Sequence, residues 1–137
     1  IFMKRIRMRF QVATAACGVV ALMVMGGCGG GGSSSGVNIS AADRKEAHDI
    51  FQTRCATCHG QFGRGDGPGA AALNPKPQNY ADAAWQQKVT DAEIEKAIVF
   101  GGAAVGKSAQ MVPNPDLEAK PGVVAALREK VRSFGEQ

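Results

Sequence analysis

The sequence is poor in the residues that most often carry chemistry: two histidines, one tyrosine, one tryptophan and four cysteines in 137 residues. It has no strand pattern and no internal repeat, which excludes a strand-built or solenoid domain and leaves an all-α one. No apolar stretch reaches the ~20 residues that a membrane span needs. The longest, from about Val12 to Met25, is broken by alanines and glycines. Basic residues precede it from Met3 onward and small residues follow it, which is the layout of a bacterial export signal. The formal net charge of +4 belongs to that leader. Removing Lys4, Arg5, Arg7 and Arg9 leaves twelve basic residues against twelve acids, a formally neutral remainder. Without a basic excess, nucleic acid is not an expected partner.

The expected signal peptide covers residues 1–27. At its end, Val24-Met25-Gly26-Gly27-Cys28 resembles a bacterial lipobox, in which cleavage leaves a cysteine at the new N-terminus for lipid attachment. Met25 stands where that pattern usually has leucine, and the competing reading is ordinary signal cleavage with Cys28 as a stray thiol. An unpaired exported cysteine otherwise needs explaining, which favours lipidation. The following "GGGGSSSG" (29–36) reads as a flexible tether. Residues 28–39 are therefore expected to be a lipidated cysteine and Gly/Ser-rich tether, and 40–137 a single domain. A domain of roughly a hundred residues has a small core and gains much from a bound cofactor.

Within that domain the sequence predicts three helices. The first runs from about Ala41 to Cys58, with Ser40 as N-cap and Ala47, Ile50, Phe51 and Cys55 on one apolar face. The second spans about Asp91 to Phe100, opened by Thr90 with Glu93 in a capping box and stopped by Gly101-Gly102. The third begins near Pro121 and ends near Phe134, with Val123, Val124, Leu127 and Val131 as its stripe. Between the first two lies "GQFGRGDGPGAAALNPKPQNYADAAW", whose glycines and prolines break any long helix. A loop of that length needs something to wrap around. Three helices and two long loops supply few apolar residues for each other, so a further group is expected in the core.

The stretch "CATCH" identifies that group. Cys55 and Cys58, separated by two residues at the end of a helix, are spaced to form thioethers with the two vinyl groups of one haem, and His59 then lies under the iron. C-x-x-C-H is the c-type haem attachment signal. A thioredoxin-like dithiol would want a βαβ pattern, which is absent. A zinc site wants four ligands, and after Cys55, Cys58 and His59 only His48 remains. His48 precedes Cys55 by seven residues on the same helix and is read as a surface residue. For the sixth iron position the sequence offers Met111. The other four methionines, Met3, Met8, Met23 and Met25, belong to the leader. Met111 sits in "AVGKSAQMVPNP", a Gly- and Pro-flanked loop suited to carrying a thioether, although a lone methionine is often core filler.

From these residues the chain resembles the small monohaem class I c-type cytochromes, ligated by histidine and methionine. The resemblance extends over residues 40–135, through "CATCH", "GRGDGPGAAALNPKPQNY" and the run from "EIEKAIVFGGAAVGKSAQMVPNPDL" to "KVRSFG". It implies a class I cytochrome c fold: three main helices and long loops around one haem c, covalent through Cys55 and Cys58. It also implies that the first and last helices cross closely, with Ile50 and Phe51 against Leu127 and Val131. By the same resemblance, Pro68 in "GDGPGA" offers its carbonyl to the other ring nitrogen of His59. Tyr80 and Trp85 pack on the haem edge or reach a propionate, or else are ordinary core residues. One departure stands out: proline commonly follows the ligand methionine directly, and here Val112 intervenes before Pro113.

With both axial positions filled, catalysis is disfavoured, and the expected function is electron transfer rather than an enzyme activity. The expected place is the periplasmic side of a bacterial membrane, reached by export and a lipid anchor. The expected partners are redox proteins: a quinol-oxidising complex and a terminal oxidase or other acceptor. Lys76, Lys88, Lys96 and Lys107 would steer an acidic partner if they ring the haem edge. The alternatives are a fixed haem subunit of a larger respiratory complex, or a haem sensor or enzyme with a labile methionine.

Overall fold

The computed structural model describes residues 36–137. The expected export signal, Cys28 and nearly all of the tether lie outside the described residues. Among the described residues there is no strand, and no helix is long and apolar enough to cross a membrane. The domain is all-helical, as the sequence predicts.

Helix α1 (Ala41–Ile50) begins at Ser40, whose hydroxyl accepts the Asp43 N–H while the Asp43 carboxylate accepts the Ser40 N–H. This reciprocal cap satisfies two donors that a helix start leaves unpaired. The chain then stays helical but widens into a π-helical turn over Phe51–Cys55 before α2 (Ala56–His59). The expected first helix is thus one helical path with a wide turn in its middle. Packing explains the widening. Phe51 and Ala56 are both buried, yet five residues in an α-helix are about 140° apart. Bonding the Ala56 N–H to the Phe51 carbonyl brings both side chains onto the core face.

A short helix, α3 (Ala83–Lys88), interrupts the stretch that the sequence reads as loop; the Asp82 carboxylate caps it by accepting the N–H groups of Ala84 and Trp85. Helix α4 (Asp91–Phe100) has the expected Thr90–Glu93 capping box and ends at Gly101. Helix α5 (Pro121–Ser133) follows with proline in its first turn and runs into a final 3-10 turn at Phe134–Glu136.

Helix α5 organises the domain, packing chiefly on α1 and α4. Ile50, Phe51, Leu127 and Val131 share one buried cluster with Ile94, Ile98, Val123 and Phe134. Charged groups also tie α5 down. Arg128, nearly buried, pairs with Asp91 at 2.6 Å and Glu95 at 3.1 Å. Arg132 reaches the other Asp91 oxygen at 2.7 Å and donates to the carbonyls of Gln86 and Val89 at 2.7 and 2.8 Å. Asp91 therefore neutralises two guanidinium groups at the start of α4, where a negative charge also meets the positive end of the helix dipole. The exposed pairs Lys120–Glu46 and Arg44–Glu129, which join α1 to α5 and to the residue just ahead of it, contribute less because solvent screens them.

Asp91→Ala should destabilise the protein by about 3 kcal/mol, because two poorly solvated arginines lose a shared partner. Thr90→Ala should cost about 1 kcal/mol through loss of the cap. Urea unfolding curves would test both, and equal losses for the two variants would refute the network.

Candidate functional site

The site is built on the last turn of the α1–α2 helical path. Cys55 and Cys58 stand on one side of that turn, half-buried and free of any disulfide. Burial pushes the Cys55 thiol up to about 11, against the smaller opposing effect of Arg54, so it is a neutral thiol at ordinary pH. His59 follows and is buried, at 8 % exposure. Gly60, with φ of 79°, then ends the helix.

The chain wraps the turn tightly. The Gly65 N–H donates to the His59 carbonyl at 2.8 Å and the Gly67 N–H to the Cys58 carbonyl at 3.2 Å. A Cβ on Gly67 would lie 2.4 Å from the Thr57 carbonyl oxygen, so only glycine fits this approach. The approach carries Pro68 across the Thr57 side of the helix, where it opens a 3-10 turn (Pro68–Ala72) and lines a shallow cleft with Gln52, Ala56 and Thr57. The sequence reading expects the Pro68 carbonyl at His59 Nδ1; the carbonyl that faces it here is that of Gln78, at 3.3 Å. Lys76, although exposed, folds back on this turn, its ammonium donating to the Ala70 and Ala71 carbonyls at 2.8 and 2.9 Å.

Gln78 sets the histidine's tautomer. A carbonyl only accepts, so Nδ1 carries the proton and Nε2 presents a lone pair. The Tyr80 hydroxyl donates to that lone pair at 3.1 Å, and the two rings stack with centroids 4.5 Å apart. Burial lowers the imidazole's pKa, outweighing the Gln78 contact, and holds it neutral. Burial likewise pushes the Tyr80 phenol up, so it stays a donor. Trp85 lies against Tyr80 at 5.4 Å, and Phe134 at 6.2 Å, placing both aromatic candidates within or against the core cluster. Gln86 fixes Tyr80 from behind: its amide donates to the Tyr80 and Val131 carbonyls, and its oxygen accepts from Arg132.

Met111 belongs to a separate loop, held to the C-terminal end of α4. The Gly102 N–H donates to the Met111 carbonyl at 2.9 Å, and Asn114 bonds the Val99 and Ile98 carbonyls through its backbone and side chain, both at 2.8 Å. Gly101 and Gly102 make this possible, since a Cβ on either would meet loop carbonyls at 2.7 and 2.2 Å. His48, the other histidine, is exposed on the outer face of α1. The structure thus gathers Cys55, Cys58, His59, Tyr80 and Trp85 in one region and secures Met111 by its backbone to α4.

The donor set suits a covalently held haem. Two free thiols and an imidazole whose Nε2 carries a lone pair sit on one helical turn, and the Gln78 contact raises that nitrogen's basicity. The Tyr80 hydroxyl occupies the Nε2 direction, so ligation there requires it to give way. Sequence reasoning missed Gln78, Gln86 and Asn114, which act through a backbone carbonyl or through amides that form no motif.

Gly101 has φ 78° and ψ 172°, a region essentially confined to glycine. Gly101→Ala should therefore cost about 1–3 kcal/mol in thermal unfolding and displace the Met111 loop. An unchanged melting temperature would refute that placement.

A model of the cytochrome c family matches residues 45–126, a span that holds the thiols, the histidine and Met111. No curated protein matches the chain. With well over half of its residues matched, and with the two free thiols and the tautomer-fixed histidine inside the match, the chain belongs to the cytochrome c family.

Proposed function

We propose that this c-type cytochrome carries single electrons on one haem c, bound through Cys55 and Cys58 and ligated by His59 and Met111. The observation that carries the reading is the Cys55–Cys58–His59 turn, with both thiols free and Nδ1 committed to the Gln78 carbonyl. A haem c held there supplies a one-electron iron couple, whose reduced form a methionine ligand favours over a second nitrogen ligand. The chain's own residues do the rest. His59 is kept neutral and oriented, the core aromatics exclude water from its ring, and the Met111 loop is fixed by backbone bonds from α4. Such a filled site favours electron carriage over catalysis.

The reading extends to an exported protein, tethered by a lipid on Cys28 at the periplasmic side of a bacterial membrane. It would take electrons from a quinol-oxidising complex and pass them to a terminal oxidase or other acceptor. The formally neutral mature charge leaves steering to local patches, and the exposed Lys88, Lys96 and Lys107 are suited to an acidic partner.

Produced with a cytochrome c maturation system, the mature protein should stay haem-stained on a denaturing gel, and Cys55→Ala/Cys58→Ala should abolish the stain. The oxidised protein should show the weak thioether-to-iron band at the red end of the visible spectrum. Met111→Ala should remove it and lower the reduction potential. A band that survives this substitution, or a high-spin oxidised wild type, would exclude Met111 as the ligand. Mass spectrometry of the mature N-terminus checks the lipid on Cys28.

A further inference from the structure

We propose that Arg54 and Asp116 are positioning residues that hold the Met111 loop to the motif helix, and thereby set how readily that side of the haem opens to an outside ligand. The inference rests on ligation by Met111. Arg54 immediately precedes Cys55, on the π-helical turn whose backbone is fixed by buried Phe51 and Ala56. Its guanidinium Nη1 donates to both carboxylate oxygens of Asp116, at 3.0 and 2.9 Å, with the Asn114 side-chain oxygen at 3.4 Å. Asp116 lies in the 3-10 turn Pro115–Leu117, whose Leu117 is fully buried. The contact therefore joins two anchored segments about sixty positions apart in the chain, one carrying the thiols and the other following the methionine.

Between the Gly102–Met111 bond and the Asn114 anchor lie only Val112 and Pro113, both exposed, with Val112 at 67 %. Nothing among the described residues buries that span from outside, so its freedom depends on how its ends are held. Asn114 and Asp116 form the downstream end, and Arg54 bonds both. Both members of the ion pair remain nearly half exposed, at 45 % and 46 %. An exposed pair biases an equilibrium modestly and responds to salt. That strength suits a loop that must stay closed in the resting carrier, yet costs little to open.

The test uses the haem-loaded mature protein and imidazole as the probe, because an outside ligand binds only the fraction of molecules whose methionine has left. Arg54→Ala and Asp116→Ala should each tighten apparent imidazole binding by about 2- to 5-fold at low ionic strength, within the range of an exposed ion pair. The double variant should be no tighter than either single one, and Arg54→Asp combined with Asp116→Arg should restore the wild-type value. In about 1 M salt, where the Debye length is ~3 Å, the wild type should approach the variants. If Arg54→Ala impairs haem loading beside Cys55, Asp116→Ala carries the same comparison.

A wild type with the thioether-to-iron band and variants of unchanged imidazole affinity would overturn the latch alone, as would single effects that simply add. A wild type without the band would overturn Met111 ligation and the latch together.

Discussion

The Tyr80 ring lies against the His59 imidazole, 4.5 Å between centroids and 13° from parallel, while its hydroxyl bonds Nε2, and much of the surrounding structure exists to keep it there. A buried imidazole is costly unless both nitrogens find partners. Gln78 supplies one and Tyr80 the other, and both come from a loop with little regular structure of its own. The loop's order is borrowed from α5. Phe134 stacks on Tyr80 at 6.2 Å and packs tilted by 40° against Phe51 at 5.3 Å, so a run of aromatic contacts leads from the α1–α5 core to His59. Gln86 and Arg132 hold the same loop by hydrogen bonds, and Asp91 holds Arg132. Withdrawing α5 would therefore release the histidine as well as the core.

The two halves of the site are held by different means. The thiol and histidine side rests on apolar burial, with Phe51 and Leu127 at 1 % and 2 % exposure. The methionine side rests on a few hydrogen bonds to the end of α4, on glycines that admit close backbone approach, and on a half-exposed ion pair. Exposed Phe100 and Val112 flank it. Segments with few buried apolar contacts open at lower free energy than core segments. The methionine loop is thus the part of the domain that responds first to salt, temperature or substitution.

Local signals made much of this legible in the sequence. Thr90 and Glu93 announced the start of α4, Gly101 its end, and Pro121 the start of α5, because caps and breakers act within one turn of the chain. Cys55, Cys58 and His59 were legible for the same reason, being neighbours on one turn. Tertiary decisions were not. The π-helical turn follows from the need to bury both Phe51 and Ala56 in the core cluster, which no local pattern records. Helix α3 was hidden by the prolines and glycines before it, although Asp82 ahead of "AAWQQK" was a usable cap signal. The Gln78 contact depended on which side of the helix the Gly65–Gly67 return carries the chain, and any residue can present a backbone carbonyl.

The separation of a rigid histidine side from a lightly held methionine side has a consequence for an electron carrier. Its speed depends on small rearrangement between oxidised and reduced states, which favours ligands that are already in place. His59 meets that demand on its Nδ1 side, where Gln78 fixes the tautomer, while the Tyr80 hydroxyl must leave Nε2 before the ligand is in place. Neither contact crosses to the methionine loop, so the position of that loop can be adjusted at Arg54, Asn114 and Asp116 without disturbing the histidine. Under Met111 ligation, the strength of the iron–sulfur contact becomes a property of surface residues. Those residues can change with little effect on the buried core, which gives this fold a way to tune ligand strength while α1 and α5 stay as they are.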